Sequence, residues 1–257
     1  MKKNLIFDSN VIDYDRLRPK YVEEMYKKIF EYANINKDSK ILEIGCGTGQ
    51  ATERFLKTGA NLLAIEPGEN MASFCTEKFN EIENFKIINT TFENAELGEN
   101  QYDLVFSATA FHWVDEKIGY KKILDILKKN GAVALFWNKP FLNKKDDLLH
   151  VEIQKIYKKY RPLENEPIEI DYELYNKRKE KIENSGFECV EFNLFKGVRE
   201  YSSENYIKLL NTYSDHMLTK PDIKEQFENE IKSVIEKNNN VIKIYDIIDL
   251  YLAKKTN

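Results

Sequence analysis

Three glycines at alternate positions, Gly45, Gly47 and Gly49, stand directly behind an apolar run that carries one carboxylate, Ile41-Leu42-Glu43-Ile44. Glycine in that pattern lets the backbone turn tightly and lets a ligand approach it without meeting a Cβ. Gln50-Ala51-Thr52-Glu53-Arg54-Phe55-Leu56 then reads as a helix start. A strand, a glycine turn and a helix form the first half of a nucleotide-binding βαβ unit. The dinucleotide spacing G-x-G-x-x-G/A fits Gly45 and Gly47 but puts Gln50 in its third place. The loop is suited to a nucleotide, and its spacing argues against a dinucleotide.

A second carboxylate, Glu66, ends the apolar run 61–65 about twenty residues further on. An acid there can accept hydrogen bonds from two ribose hydroxyls, or cap the helix that starts near Pro67. Joined to the glycine loop at this spacing, the ribose role is the one expected. Other chemistry-bearing residues cluster at the ends of apolar runs: Phe92 and Glu93, Ser107 and Ala108, then Phe111-His112-Trp113.

The pattern Glu43-x-Gly45-x-Gly47-x-Gly49 resembles the first motif of class I S-adenosylmethionine-dependent methyltransferases, of the type 11 group. The resemblance implies a loop that cradles the methionine and ribose of S-adenosyl-L-methionine. It places Glu66 on the ribose with Pro67 and Met71 beside it, and Phe92 and Glu93 against the adenine. Ser107 and Ala108 would open the motif beside the departing methyl, and S-adenosyl-L-homocysteine would be the product. Tyr14-x-x-x-Arg18-Pro19-x-Tyr21 resembles the N-terminal lid of a subgroup that includes trans-aconitate methyltransferase. That puts Tyr14, Arg18 and Tyr21 over the cofactor mouth, and the stretch 210–214, with Tyr213, in a cap helix.

Methyl transfer from a sulfonium is an in-line displacement, so the protein mainly aligns the reactants and excludes water. A base is needed only for a protonated acceptor, and a carboxylate needs none. His112 is the candidate catalytic residue; the other reading has it bonded to the loop backbone and orienting Trp113. His150 and His216 read as surface or packing residues. Tyr14, Phe111, Trp113 and Tyr213 are candidates to shield the sulfonium by cation–π contact. For a carboxylate acceptor Arg18 is the best-placed cation, with Arg161 and Arg199 behind it; Arg18 could instead pair with a lid acid or with the cofactor's own carboxylate. The expected activity is methylation of a small molecule, a carboxylate among the candidates. The alternatives are a nicotinamide-dependent oxidoreductase and a noncatalytic S-adenosylmethionine-binding module.

These residues need a scaffold. Apolar runs at 40–44, 61–65, 85–89, 102–107 and 131–137 read as strands, with an amphipathic helix at 120–129. Strands alternating with helices predict an α/β, doubly wound parallel sheet. A helix with Val22, Met25, Ile29 and Phe30 on one face precedes it. Residues 138–185 read as helices interrupted at Pro162 and Pro167, 187–195 as a strand, and 203–237 as helix with a turn near Pro221. Residues 241–252 fit strand or helix by pattern. The resemblance makes them the last, antiparallel strand of a seven-stranded Rossmann-like sheet, slotted between the fifth and sixth, with helices on both faces and a helical cap. Residues 1–139 then form lid and cofactor-binding core, and 140–257 supply cap and the last two strands of the same domain.

The chain has 257 residues, 42% hydrophobic and 32% charged, with a net charge of −4. That suits one enlarged domain with a core and gives no basic field for nucleic acid. No window of 18 apolar residues reads as a membrane span, and residues 1–8 lack a signal peptide's apolar stretch. Cys46, Cys75 and Cys189 have neither metal nor redox spacing, so no metal site and a reducing, cytoplasmic setting are expected. A monomer or homodimer is anticipated.

Overall fold

The computed structural model describes residues 10–162 and 165–256. Its centre is one sheet built from β1 (Lys40–Ile44), β2 (Asn61–Ile65), β3 (Phe85–Ile88), β4 (Tyr102–Ala108), β5 (Leu127–Phe141), β6 (Glu188–Tyr201) and β7 (Ile242–Lys254). The order across the sheet is β3-β2-β1-β4-β5-β7-β6. The first five strands pair in parallel, and β7 is inserted antiparallel between β5 and β6. This is the doubly wound parallel arrangement the sequence pattern predicts, with the seventh, antiparallel strand where the resemblance puts it. Residues 241–252, undecided by periodicity, are strand because Ala132 to Phe141 of β5 and Glu188 to Tyr201 of β6 both pair with them.

Ten α-helices surround the sheet among the described residues. They are α1 (Val11–Leu17), α2 (Glu23–Ala33), α3 (Thr52–Leu56), α4 (Glu69–Lys78), α5 (Glu116–Ile126), α6 (Leu148–Tyr160), α7 (Tyr172–Asn184), α8 (Ser203–Leu210), α9 (Ser214–Met217) and α10 (Pro221–Lys237). Central strands covered on both faces are apolar nearly throughout. On one face Ile41, Phe106 and Phe136 pack with Met25 and Ile29 of α2 and Phe55 of α3. On the other, Leu42, Val105 and Leu135 pack with Tyr120 and Ile123 of α5 and Ile182 of α7. A third core joins α6, α8 and α10 through Ile153, Tyr206, Leu209 and Phe227, and Leu17 of the N-terminal segment plugs into it. That plug docks the lid on the cap. The lid's first residues, Phe7, Asp8 and Ser9, lie outside the described residues, as do residues 1–8 as a whole.

Some boundaries move, and the strand expected at 187–195 runs on to Tyr201. The helix expected at 120–129 starts at Glu116, because the Asp115 carboxylate accepts from the Lys117 N–H, and it stops at Ile126. Leu127 is already extended and pairs with Tyr102; Asn130 takes a left-handed φ of 63°, its N–H donating to the Lys255 carbonyl. Apolar spacing carries on past Ile126 at helical period, so only the strand partner reveals the end. Pro140 and Phe141, expected in the cap, are still in β5 and pair with Asp246 and Tyr245. No helix among the described residues is long and apolar enough to cross a membrane, and none of them form a cluster that could hold a metal ion.

Candidate active site

A cavity of about 550 Å³ opens at the carboxyl ends of the central parallel strands, within the usual range for small-molecule sites. Parallel strands aim their C-terminal loops at the same end of the sheet, which is why ligands bind there. The glycine loop after β1 forms its floor. Gly47 has φ +57°, and a Cβ there would project to within 3.7 Å of Tyr14 and 3.9 Å of Met71. Gly45 and Gly47 line the cavity; Gly49 does not. A Cβ on Gly49 would lie 2.5 Å from the Phe79 ring, so this glycine lets the loop pack against the end of α4.

Glu66, at the end of β2, is 5% exposed and lines the cavity. Its Oε2 accepts from the Gly47 N–H and its Oε1 from the Gly68 N–H, both at 2.8 Å. It therefore steadies the glycine loop and holds Gly68, the residue that leads into α4. The carboxylate faces the cavity at the place where the ribose diol of a nucleoside would lie. Glu43 lies behind the loop, 1% exposed, and accepts from Thr52 Oγ1 at 2.5 Å. Burial raises its pKa to about 8, against the lowering effect of the Thr52 bond.

Pro67, Met71, Phe92, Glu93 and Ala108 also line the cavity. Glu93 Oε1 accepts from the Asp115 N–H at 3.0 Å, and Lys122 Nζ donates to the carbonyls of Phe92, Glu93 and Ala95. These bonds fasten the turn after β3 to α5. Ser107 stands behind the wall, its hydroxyl donating to the Ile44 carbonyl and tying β4 to β1. Phe111 is also behind it, 2% exposed and packed on Tyr120 at 5.0 Å.

From the lid, Tyr14, Arg18 and Tyr21 roof the cavity. Arg18 is held by the cap: its Nη2 donates to the Thr212 carbonyl at 2.6 Å, and its guanidinium lies 4.7 Å from the Tyr14 ring and 4.1 Å from the Tyr213 ring. Of the weaker cationic candidates, Arg199 is bound to Asp246 and Tyr201, outside the cavity wall. Arg161 pairs with Asp215 in the cap.

At the end near β4 and β5 stand residues that periodicity does not single out. Thr109 has φ +54°, an outlier for a β-branched residue. Its Oγ1 lies 2.8 Å from the Tyr21 hydroxyl and accepts from the Asn138 N–H. The Asn138 side chain lines the cavity with both amide atoms buried and without a hydrogen-bond partner among the described residues. The one available signal is position: Thr109 follows the last residue of β4, and Asn138 follows the apolar run 131–137. His112 and Trp113 line the same end. The Trp137 indole N–H donates to His112 Nδ1 at 3.2 Å. An indole nitrogen only donates, so Nδ1 accepts and the neutral ring carries its proton on Nε2. Burial, with Arg178 nearby, lowers the His112 pKa. His150 and His216 are buried packing residues.

Residues 42–135 match the family model described as a methyltransferase domain. An uncharacterized methyltransferase of Schizosaccharomyces pombe is 25% identical over 236 residues, covering 90% of this chain and 87% of its own. A malonyl-[acyl-carrier protein] O-methyltransferase of Ilyobacter polytropus is 33% identical over 119 residues, 44% of this chain and 43% of its own. A phosphoethanolamine N-methyltransferase of Haemonchus contortus, solved with S-adenosylhomocysteine and phosphomonomethylethanolamine, shares the fold at TM-score 0.57 and 14% identity. That likeness covers 97% of this chain and 58% of the other. The glycine floor without side chains, the Glu66 carboxylate at the end of β2 and the apolar Phe92 turn fit S-adenosylmethionine. The dinucleotide oxidoreductase alternative has no such support. With a methyltransferase domain matched over residues 42–135, similarity to methyltransferases along most of its length and the Rossmann-like fold of class I enzymes, the chain is an S-adenosylmethionine-dependent methyltransferase.

Proposed function

We propose that this methyltransferase transfers its methyl group to an oxygen of a small organic acid. The cofactor supplies an activated methyl on sulfur. Gly45 and Gly47 let the backbone lie against it, Glu66 accepts from the ribose hydroxyls, and Pro67, Met71, Phe92 and Glu93 enclose the adenine. Glu43, Gly49 and Ser107 shape this site from behind rather than touch the cofactor. Tyr14, Trp113 and Tyr213 line the cavity where an aromatic face can shield a sulfonium.

The observation that carries the acceptor reading is the chemistry of His112 and Asn138. His112 is a neutral ring whose free N–H donates, so in this state it is no base. Asn138 has an unused amide, whose N–H₂ can also donate. Donors without a base suit an acceptor that arrives deprotonated, and Arg18 at the roof adds a positive charge. One carboxylate oxygen is held by these donors while the other attacks the methyl. The O-methyl transfer named for the Ilyobacter relative agrees with this reading. The charge balance and the free cysteine thiols favour a cytoplasmic enzyme acting on small molecules rather than nucleic acid.

The test is labelled methyl transfer to a panel of small acids, phenols, amines and thiols. Acids should be methylated to base-labile esters. Labelling of amines or thiols with acids inert would overturn the carboxylate assignment.

A further inference from the structure

A second cavity, of about 440 Å³, lies in the cap and adjoins the first: Pro140, Tyr213 and Asp215 line both. Its other walls are mainly apolar and aromatic, with Leu142 after β5, Leu209 and Leu210 from α8, and Ile244 from β7. The chamber is an open cleft between the cap helices, so a ligand can enter it from solvent as well as from the first cavity. One cation breaks the apolar lining. Arg161 Nη2 donates to Asp215 at 2.7 Å, while its Nη1 is buried with no hydrogen-bond partner among the described residues. Leaving a buried charged donor unmade is costly, so this N–H calls for an oxygen acceptor that the described residues do not supply. His216 beside it is no competitor for an anion, because burial and Arg161 hold it neutral, its pKa lowered to about 4.

We propose that this chamber binds the body of the methyl acceptor: an aliphatic acid whose chain lies among Leu142, Leu209 and Ile244, with a keto or hydroxyl oxygen along the chain accepting from Arg161. The carboxylate then projects past Pro140 and Tyr213 into the first cavity. This rests on the acid-acceptor reading above and adds the class of acid. The volume adjoining the reaction site, its mainly apolar walls and one cation with an unmatched N–H together describe an amphipathic acid rather than a compact polyanion.

The experiment compares kcat/KM for straight-chain acids from acetate to dodecanoate, and for the matching keto and hydroxy acids. Each methylene that enters the chamber should raise kcat/KM by about fourfold until the space is full. Leu142→Trp should lower the ratio of decanoate to butyrate activity, and Arg161→Met should erase the preference for the oxygenated acids. Titration with S-adenosylhomocysteine checks that each variant keeps a formed cofactor site. Calorimetric binding of decanoate to the S-adenosylhomocysteine complex is the readout independent of turnover. Binding that Leu142→Trp weakens, with no acid methylated, would uphold the chamber and overturn the acid acceptor. Chain-length-independent rates, or no decanoate binding, would overturn the chamber.

Discussion

The indole N–H of Trp137 fixes the tautomer of His112 from a strand away, through the 3.2 Å bond to Nδ1. Trp137 is itself covered by the Arg178 guanidinium 4.3 Å from its ring, and Arg178 pairs with the buried Asp249 of β7. The imidazole is thus set by the sheet rather than by its own loop.

Trp137→Phe should lower kcat/KM by about fivefold, the worth of one hydrogen bond of about 1 kcal/mol. The wild-type pH profile should fall on the acid side with an inflection below 6.5, the ordinary value for histidine, because protonating Nδ1 turns it from acceptor to donor against the indole. Removing the indole N–H removes a bond that favours the neutral ring, so in Trp137→Phe the inflection should move up. A profile that rises through neutral pH in the wild type would identify a general base instead.

Glu66→Ala should weaken S-adenosylhomocysteine binding by roughly 1.5–3 kcal/mol, as charge-assisted bonds to the ribose are lost. Isothermal titration at constant ionic strength measures this. Because the same carboxylate holds the Gly47 and Gly68 N–H groups, thermal unfolding of the free protein should also shift down. Unchanged affinity with a lowered Tm would reduce Glu66 to a brace of the glycine loop and Gly68.

The alternate glycines should separate in their effects. Gly49→Ala sets a Cβ against Phe79 at a left-handed φ of 87° and should cost about 1–3 kcal/mol of stability. Gly47→Val should impair cofactor binding more than stability, since its Cβ faces the cavity with room around it. Paired denaturation and ligand titration of the two variants checks the division.

Glu43 should make the fold less stable as pH rises. Its carboxyl is raised from 4.5 to about 8 by burial, so the folded protein holds a proton that the unfolded chain releases. Nothing is lost below the unfolded value; the stability falls as pH climbs from 4.5 toward 8 and levels above it. Glu43→Gln should flatten that slope in urea denaturation series across the same range, with the larger gain at the alkaline end. Parallel slopes in variant and parent would show that Glu43 is ionised in the folded state.

The sequence by itself determined the order of strands and helices from Lys40 to Trp137 and the glycine loop between β1 and α3. Those features are local: a buried parallel strand is apolar throughout, and a loop with three left-handed residues calls for glycine. It also brought out Glu66, Phe92 and His112, because each ends or follows an apolar run. Only the tertiary structure decided which way those side chains face. Gly49, Ser107 and Phe111 belong to the right motifs yet sit behind the wall, since α4, β1 and α5 claim them. Thr109 and Asn138 enter the site because β4 ends beside Phe136 of β5, which brings Thr109 against Asn138 under the lid's Tyr21. The same holds for Arg161, whose unmatched N–H exists only once α6, α8 and α9 close the cap. Backbone periodicity is written within a few residues of the chain, whereas the direction of a side chain is set by partners far away in sequence that fold against it.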